Sequence, residues 1–406
     1  MRDAIFDVAV AGAGPAGGHL ARLLARRGLK VLLVDRLPRL EANAFSSAGT
    51  VSEALARHDL PDSLVGAHWR GMEVRSNTAL ARWRGPEAAG AVLDFGRLRT
   101  HLADEAVRCG ATLALGCQAT GLGNEGPWQV LRLRRGAERL EARARVLVDA
   151  TGPARSLIRQ VAPPAPRYLS GVGLEYLVEV PADLWARHSD TLSFFLGSRW
   201  MPRGYSWIFP MEPGLLKVGA GRYAPGHPSG QAALKPCITR LLEQVLGVPD
   251  APVLDVHGGV LRYAQGLRDP YAAGGLMAVG DAVSTLNPLG GEGIRHALEG
   301  VEIALPFLLA ELESPGRGFP GYARAMRRRF RRTWRWSEEL ATRRYLEDGD
   351  DRLDRMVRFL SRQDRDFVVD VLFGYNFARA VRAAGPAWAR SRLARIGTRL
   401  LSFFRL

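Results

Sequence analysis

Residues 6–35 read FDVAVAGAGPAGGHLARLLARRGLKVLLVD, and this stretch decides the fold. Phe6 to Ala11 is a short apolar run rich in small and β-branched residues, suited to a buried strand. Gly12, Gly14 and Gly17 follow at once. The segment GHLARLLARRG then carries Leu20, Leu23 and Leu24 at helical spacing, and Gly28 closes the helix. A second apolar strand, LKVLLVDR, ends in Asp35. Strand, glycine turn, helix, strand and acid is the order of a dinucleotide-binding unit, and each part has a physical job. Gly12 allows the tight turn, Gly14 lets backbone approach a pyrophosphate, and Gly17 lets the helix sit close to the strand. The helix N-terminus offers free N–H groups and the positive end of its dipole to phosphates. Asp35 accepts hydrogen bonds from ribose hydroxyls. This unit alone does not separate FAD from NAD.

A second motif far along the chain does. Near residue 275 the sequence reads GGLMAVGDAVSTLNPLGGEGIRHALEGVEIA. A short strand, Leu276 to Val279, leads into Gly280 and Asp281. A loop with Asn287, Pro288, Gly290, Gly291 and Gly293 precedes a helix beginning at Ile294. The acid at the end of a strand suits ribitol hydroxyls, and a glycine loop before a helix suits a flavin ring. GDA followed by NPLGGEGI resembles the second FAD motif of the flavoproteins that include aromatic hydroxylases, flavin halogenases and geranylgeranyl reductases. Val146-Leu-Val-Asp149-Ala-Thr-Gly152 resembles the turn that closes the nucleotide half in the same proteins. The resemblance implies FAD as cofactor. The candidate cofactor-binding residues are Gly12, Gly14, Pro15, Ala16, Gly17, Asp35, Arg36, Arg99, Asp149, Gly152, Gly280, Asp281, Pro288, Gly290, Gly291, Gly293 and Ile294. Gly171-Val-Gly173 and Gly219-Ala-Gly221 lack a following helix pattern, so no separate NAD(P)H domain is expected. Electrons come from NAD(P)H bound transiently or from a ferredoxin-type carrier.

Between Tyr168 and Arg262 short aromatic and β-branched runs alternate with Pro, Gly and Asp. This pattern predicts an antiparallel sheet over the flavin, joined by strands from Gly71 to Leu93. Within it stands Pro202-Arg-Gly-Tyr205-Ser-Trp207-Ile-Phe209-Pro210. On a strand Tyr205, Trp207 and Phe209 share one face, enough to wall an apolar slot. PxxYxWxFP resembles the motif that lines the substrate channel of the geranylgeranyl reductase family. The resemblance implies Pro202, Tyr205, Trp207, Phe209 and Pro210 as substrate-binding, with Tyr205 and Trp207 nearest the chemistry. Two departures from the family stand out. The stretch Phe45-Ser-Ser-Ala-Gly49 replaces a Pro-Cys-Gly segment, and Phe95 replaces an arginine before the helix from Leu98 to Arg108, leaving Arg97 and Arg99 beside it.

Other titratable groups point less clearly. His58, His68, His188 and His257 carry no partner pattern. His296 sits in the first turn of a helix, open to packing or to the nucleotide. Glu175 and Glu179, four apart on a strand, are expected on a solvated face.

The chain of 406 residues holds 56 Lys+Arg against 41 Asp+Glu, a formal charge of +15, almost all of it arginine. Such charge attracts anionic lipid, nucleic acid or acidic proteins, but no nucleic-acid recognition module is visible. Cys109, Cys117 and Cys237 form no CxxC, so neither a zinc site nor a disulfide framework is indicated. No apolar span is read, and the cytoplasm is the expected location. From Tyr322 the chain is Arg-rich and helical. In the last helix Leu393, Ile396, Leu400, Phe403 and Phe404 share one side beside Arg392, Arg395 and Arg399. That helix suits either an anionic membrane surface on the inner face or packing on the body.

The expected architecture is α/β. A doubly wound Rossmann-like FAD-binding domain comprises 1–70, 95–165 and 265–325; an antiparallel β-sheet substrate domain comprises 71–94 and 166–264; a helical C-terminal region spans 326–406. The resemblance implies a reductase of C=C bonds in a polyprenyl group. Three rivals stand beside it: an oxygen-dependent hydroxylase, a carotenoid cyclase working without net redox change, and a redox-sensing or lipid-carrier flavoprotein that never turns over.

Overall fold

A computed structural model describes residues 4–42, 46–223, 234–347 and 349–383. The final segment with its apolar and arginine stripes lies outside the described residues.

The first strand, Ile5–Ala11, sits at the centre of a parallel sheet. It pairs with Val31–Val34 on one side and with the second half of Glu138–Asp149 on the other. Thr112–Ala114 and Leu276–Ala278 extend the sheet outwards, also in parallel. All four residues of Val31–Val34 are buried because helices cover both faces, which is why the run reads as uninterrupted apolar sequence. The helix Pro15–Ala25 takes Gly14 as N-cap with Pro15 at its first position, and Gly28 follows it with φ +77°. Phe95–Arg108 packs beside it; Asp94 caps that helix by accepting from the Arg97 N–H at 2.9 Å. The long helix Ile294–Glu313 also packs against Pro15–Ala25. Strand Glu138–Asp149 does double duty, its first half pairing antiparallel with Trp128–Arg135.

The second sheet has seven strands in the order Val253–Ala264, Tyr168–Glu179, Leu215–Tyr223, Met201–Pro210, Thr191–Gly197, Gly71–Arg75, Leu80–Arg84. It is antiparallel except where Thr191–Gly197 runs parallel to Gly71–Arg75. The GVG and GAG stretches lie inside its strands. One expectation changes: Gly90–Leu93 does not join this sheet but pairs with Gly49–Val51 and Val65–Trp69 in a small sheet of its own.

The Arg-rich helix Tyr322–Ala341 buries Tyr322, Met326, Phe330 and Trp334, spaced by four, in the core of the nucleotide half. Its arginines occupy the other faces. Asp350–Leu360 and Arg365–Leu372 instead pack against the seven-stranded sheet through Leu353, Val357, Phe367 and Val371. Among the described residues no helix is long and apolar enough to cross a membrane.

Candidate functional site

The three glycine motifs meet. A Cβ on Gly12, whose φ is +107°, would lie 2.3 Å from the Ala150 carbonyl oxygen, and one on Gly17 would lie 1.8 Å from the Gly12 oxygen. One on Gly280, φ +63°, would lie 2.7 Å from the Ala16 Cβ. A Cβ on Gly14 would meet nothing within 4 Å. That open space lies at the N-terminus of Pro15–Ala25, where the first N–H groups have no intrahelical acceptor. The cradle therefore fits the pyrophosphate of a dinucleotide.

Asp35 stands at the adjoining strand end, 7% exposed. It accepts from the Ala13 N–H at 2.8 Å, the Leu37 N–H at 2.9 Å and the Arg99 guanidinium at 3.3 Å. Arg99 also donates to the Ala13 and Leu40 carbonyls at 3.2 and 3.1 Å. Arg99 thus joins the acid, whereas Arg36 is exposed. Phe95 opens the helix that carries Arg99. Asp149 has another occupation: its carboxylate accepts from the Thr151 N–H and hydroxyl and from the Leu157 and Ile158 N–H groups, all within 3.0 Å. It builds the turn around Gly152 and offers no free oxygen.

Asp281 accepts from the Thr285 hydroxyl at 3.1 Å, and burial pushes its carboxyl above the usual range. The following loop is held from inside and outside. Inside, the Asn287 side-chain oxygen accepts from the N–H groups of Leu289 and Gly290 at 2.9 and 3.3 Å. Outside, three tyrosine hydroxyls donate to three consecutive carbonyls: Tyr223 to Pro288, Tyr345 to Leu289 at 2.8 Å, and Tyr205 to Gly290 at 2.8 Å. The Tyr223 and Tyr345 rings stack at 5.7 Å. Next in the loop, buried Glu292 receives Arg295 at 2.9 and 2.7 Å and the Tyr375 hydroxyl at 3.0 Å. Burial opposes ionisation of Glu292, but the Arg295 charge outweighs it and holds the carboxyl low. His296 packs edge-on against Trp334 at 4.9 Å and Phe330 at 5.9 Å; it is a packing residue, and burial lowers its pKa to about 4.

The aromatic row is real. Tyr205 and Trp207 lie 5.5 Å apart between ring centroids, and Phe194 of the neighbouring strand sits 6.0 Å from Tyr205 and 5.3 Å from Phe209. Pro202 is exposed at the start of the strand and stands apart from the row. Pro210 is buried at its far end, at a position alternate to Phe209. Gly49 lies close beneath Phe209, where a Cβ would approach the ring to 3.1 Å.

Behind this wall lies a polar chain that sequence reasoning missed. The Trp207 indole donates to Glu175 at 2.6 Å; Glu175 meets His257 at 2.9 Å; His257 meets Asp255 at 3.0 Å. Lys217 donates to the Ser46, Ser47 and Leu93 carbonyls at 3.1, 3.3 and 3.2 Å. The expectation of a solvated face for Glu175 fails: it is 3% exposed, because strands on both sides and Trp207 cover it, while Glu179 at the strand end is exposed. Burial disfavours the Glu175 anion, but hydrogen bonding to His257 and the Lys217 charge win and keep its pKa low. His257 is raised for the complementary reason, its two carboxylate partners outweighing burial. Only the register of the strands, which sets Glu175 opposite His257, could have shown this pair.

His19, His58 and Glu302 also cluster. The Arg22 Nε–H donates to His19 Nδ1 at 2.9 Å, which leaves the His19 proton on Nε2, the atom that would have to face an ion. That donor set does not suit a metal.

Known proteins resemble the chain along most of its length. A digeranylgeranylglycerophospholipid reductase of Methanosarcina acetivorans is 29% identical over 317 residues, 75% of each chain. One of Thermoplasma acidophilum is 27% identical over 379 residues, 88% of this chain and 92% of its own. The crystal structure of a geranylgeranyl bacteriochlorophyll reductase-like protein from Thermoplasma acidophilum shares the fold, with a TM-score of 0.79 at 24% identity, covering 93% of this chain and 95% of the other. The profile of the FAD binding domain family matches residues 6–314, across all three glycine motifs. The chain belongs to the FAD binding domain family and is an FAD-dependent oxidoreductase.

Proposed function

We propose that the enzyme reduces carbon–carbon double bonds in the polyprenyl chain of a lipid. The observation that carries this reading is the row Phe194, Tyr205, Trp207 and Phe209, tied to the glycine loop through the 2.8 Å bond from Tyr205 to Gly290. An isoprenoid offers little beyond dispersion and apolar area, worth about 25 cal/mol per Å² buried, and an aromatic wall answers both. Relatives named as reductases of digeranylgeranylglycerophospholipid, at 27–29% identity, support the same substrate class.

In this reading Gly12, Gly14, Pro15, Ala16 and Gly17 receive the pyrophosphate, and Asp35 with Arg99 holds the adenosine ribose. Asp281 holds the ribitol, while Pro288, Gly290, Gly291, Gly293 and the start of the helix at Ile294 carry the ring. When bound there, reduced FAD would supply the hydride for one alkene carbon. The protein orients the alkene, excludes water and provides a proton to the other carbon. Tyr205 acts as wall and brace: its hydroxyl is spent on Gly290, and burial raises its pKa above the usual phenol value. Electrons enter from NAD(P)H or a ferredoxin-type carrier, and the +15 charge draws the enzyme to anionic membrane where such lipids reside.

The test is anaerobic. Dithionite-reduced enzyme is mixed with geranylgeranyl lipids and carotenoids, and product masses are read. A gain of about two mass units per reduced bond is expected. An isomer of unchanged mass would replace the reading with a cyclase, and product formed only in air, bearing a hydroxyl, would replace it with a hydroxylase.

A further inference from the structure

Two residues that are not glycine take left-handed backbone where the second and third glycine motifs meet. Arg155 follows the turn Gly152–Ala154 with φ +50°, and Ser284 follows the turn Gly280–Val283 with φ +56°. Glycine would hold either backbone at less cost, so each side chain has a task that outweighs the strain. The contacts show the task. The Arg155 Nε–H donates to the Ala282 carbonyl at 3.1 Å, and Nη2 donates to the Ser284 hydroxyl oxygen at 3.0 Å and to Asp269 at 3.2 Å. Ala282 directly follows Asp281, so one guanidinium grips the turn that carries the acid. Arg155, Asp269 and Ser284 are all buried, and the charge of Arg155 is matched there by Asp269.

The same knot reaches the seven-stranded sheet. Tyr168 and Ala264 are paired residues at the end of its outermost two strands. The Arg155 guanidinium lies over the Tyr168 ring at 4.8 Å, and the Ala264 N–H donates to the Ser284 hydroxyl oxygen at 2.8 Å. The Asp281 carboxylate accepts from the Thr285 hydroxyl, four residues along the same turn, so its aim depends on how that turn is held. Burial raises the Asp281 carboxyl, and the Thr285 bond and then the Arg155 charge pull against it. An acid that accepts from ligand hydroxyls has to be ionised, and Arg155 works in that direction.

We propose that Arg155 is a positioning residue for FAD: with Ser284 and Asp269 it fixes the turn that aims the Asp281 carboxylate at the ribitol hydroxyls. The inference rests on the ribitol reading of Asp281 above. Arg155 acts through Asp281 and not on the cofactor itself. Because Tyr168 and Ala264 join the same knot, one guanidinium sets both the acid for the cofactor and the end of the sheet that would hold substrate.

Binding of FAD to the FAD-free protein tests this through a double-mutant cycle. Arg155→Lys keeps the buried charge opposite Asp269 but cannot span Ala282, Ser284 and Asp269 together. Ser284→Gly removes the hydroxyl while relieving the left-handed backbone, and it stands in should Arg155→Lys fail to fold. Each is titrated with FAD alone and in combination with Asp281→Asn. Asp281→Asn is expected to weaken FAD at least about tenfold, and Arg155→Lys and Ser284→Gly at least about fivefold each. Where Asp281→Asn is already present, either second change costs less than about twofold, because the group it positions is gone. A prop of the fold alone would not give that coupling. If Arg155→Lys and Ser284→Gly bind FAD as wild type does, or if their losses add in full to that of Asp281→Asn, the positioning role is overturned while the ribitol reading stands. If Asp281→Asn binds FAD as tightly as wild type, the ribitol reading falls and takes the role of Arg155 with it.

Discussion

Gly14 and Gly17 stand three residues apart and do opposite work. At Gly17 a methyl group would fall 1.8 Å from the Gly12 carbonyl oxygen, so the cost is paid in the fold itself. At Gly14 a methyl group meets no protein atom, and the backbone at φ −76° admits any residue. Gly17→Ala is expected to destabilise the FAD-free protein by about 3 kcal/mol through overpacking. Gly14→Ala costs the FAD-free protein at most about 1 kcal/mol, the weaker N-cap, yet weakens FAD binding at least about tenfold, or ~1.4 kcal/mol. Denaturation of FAD-free protein and flavin titration separate the two, and equal affinities for Gly14→Ala and wild type would remove the pyrophosphate from that space. These residues were legible because their task is local: turn, approach and packing are settled within thirty residues of chain. Glu175 and His257 were not, since 82 residues separate them and only strand register joins them. Arg99 falls between, its helix legible and its reach to Asp35 a matter of tertiary packing.

The loop from Asn287 to Gly293 is an element without regular structure, so its shape depends on what grips it. Three carbonyls in a row are turned outward to Tyr223, Tyr345 and Tyr205, and Asn287 gathers two N–H groups beneath them. Two of the tyrosines come from the seven-stranded sheet and the third from beyond the Arg-rich helix. The flavin loop is thus clamped by the part of the molecule that would hold substrate. Tyr345→Phe leaves the Leu289 carbonyl short of a donor, a loss of about 1 kcal/mol of stability. It also loosens the loop, so FAD dissociates faster although Tyr345 belongs to no recognised flavin motif; stopped-flow release of flavin measures this. An unchanged release rate would make the tyrosine a packing residue only. Sequence periodicity found the helix that leads to Tyr345, but a stripe of spacing four says which face is buried and not what lies past the end. The same limit applies to Gly90–Leu93, whose apolar pattern fits any sheet edge. Its partners, Gly49–Val51 and Val65–Trp69, are chosen by the path of the chain between them.

At the scale of the whole molecule the strongest consequence concerns acid. His19 is 2% exposed and His296 is 3% exposed. Burial, helped at His19 by the Arg22 charge, lowers their pKa values from 6.5 to about 2 and about 4. Both are neutral in the fold, while in the unfolded chain each binds a proton below pH 6.5. Acid therefore favours unfolding from pH 6.5 downward, by about 2 kcal/mol for each histidine at pH 5, from 1.4 kcal/mol per unit. His257 works the other way, since its raised pKa adds stability below 6.5 that is lost as pH rises through the folded value. Glu175 and Glu292, held low, contribute above their unfolded values and weaken only as pH drops below about 4.5. Between pH 7.5 and 5 His19 and His296 together contribute roughly 4 kcal/mol of loss, a large share of a typical stability of 5–15 kcal/mol, with buried His58, also lowered by burial, acting in the same sense and His257 opposing them. Urea denaturation at the two pH values should show that loss. His296→Leu keeps an apolar neighbour for Trp334 and Phe330 and should make the pH dependence shallower by about 2 kcal/mol, whatever it does to stability at pH 7.5. If the slope is the same with and without His296, its neutral burial is not what makes the fold acid-sensitive.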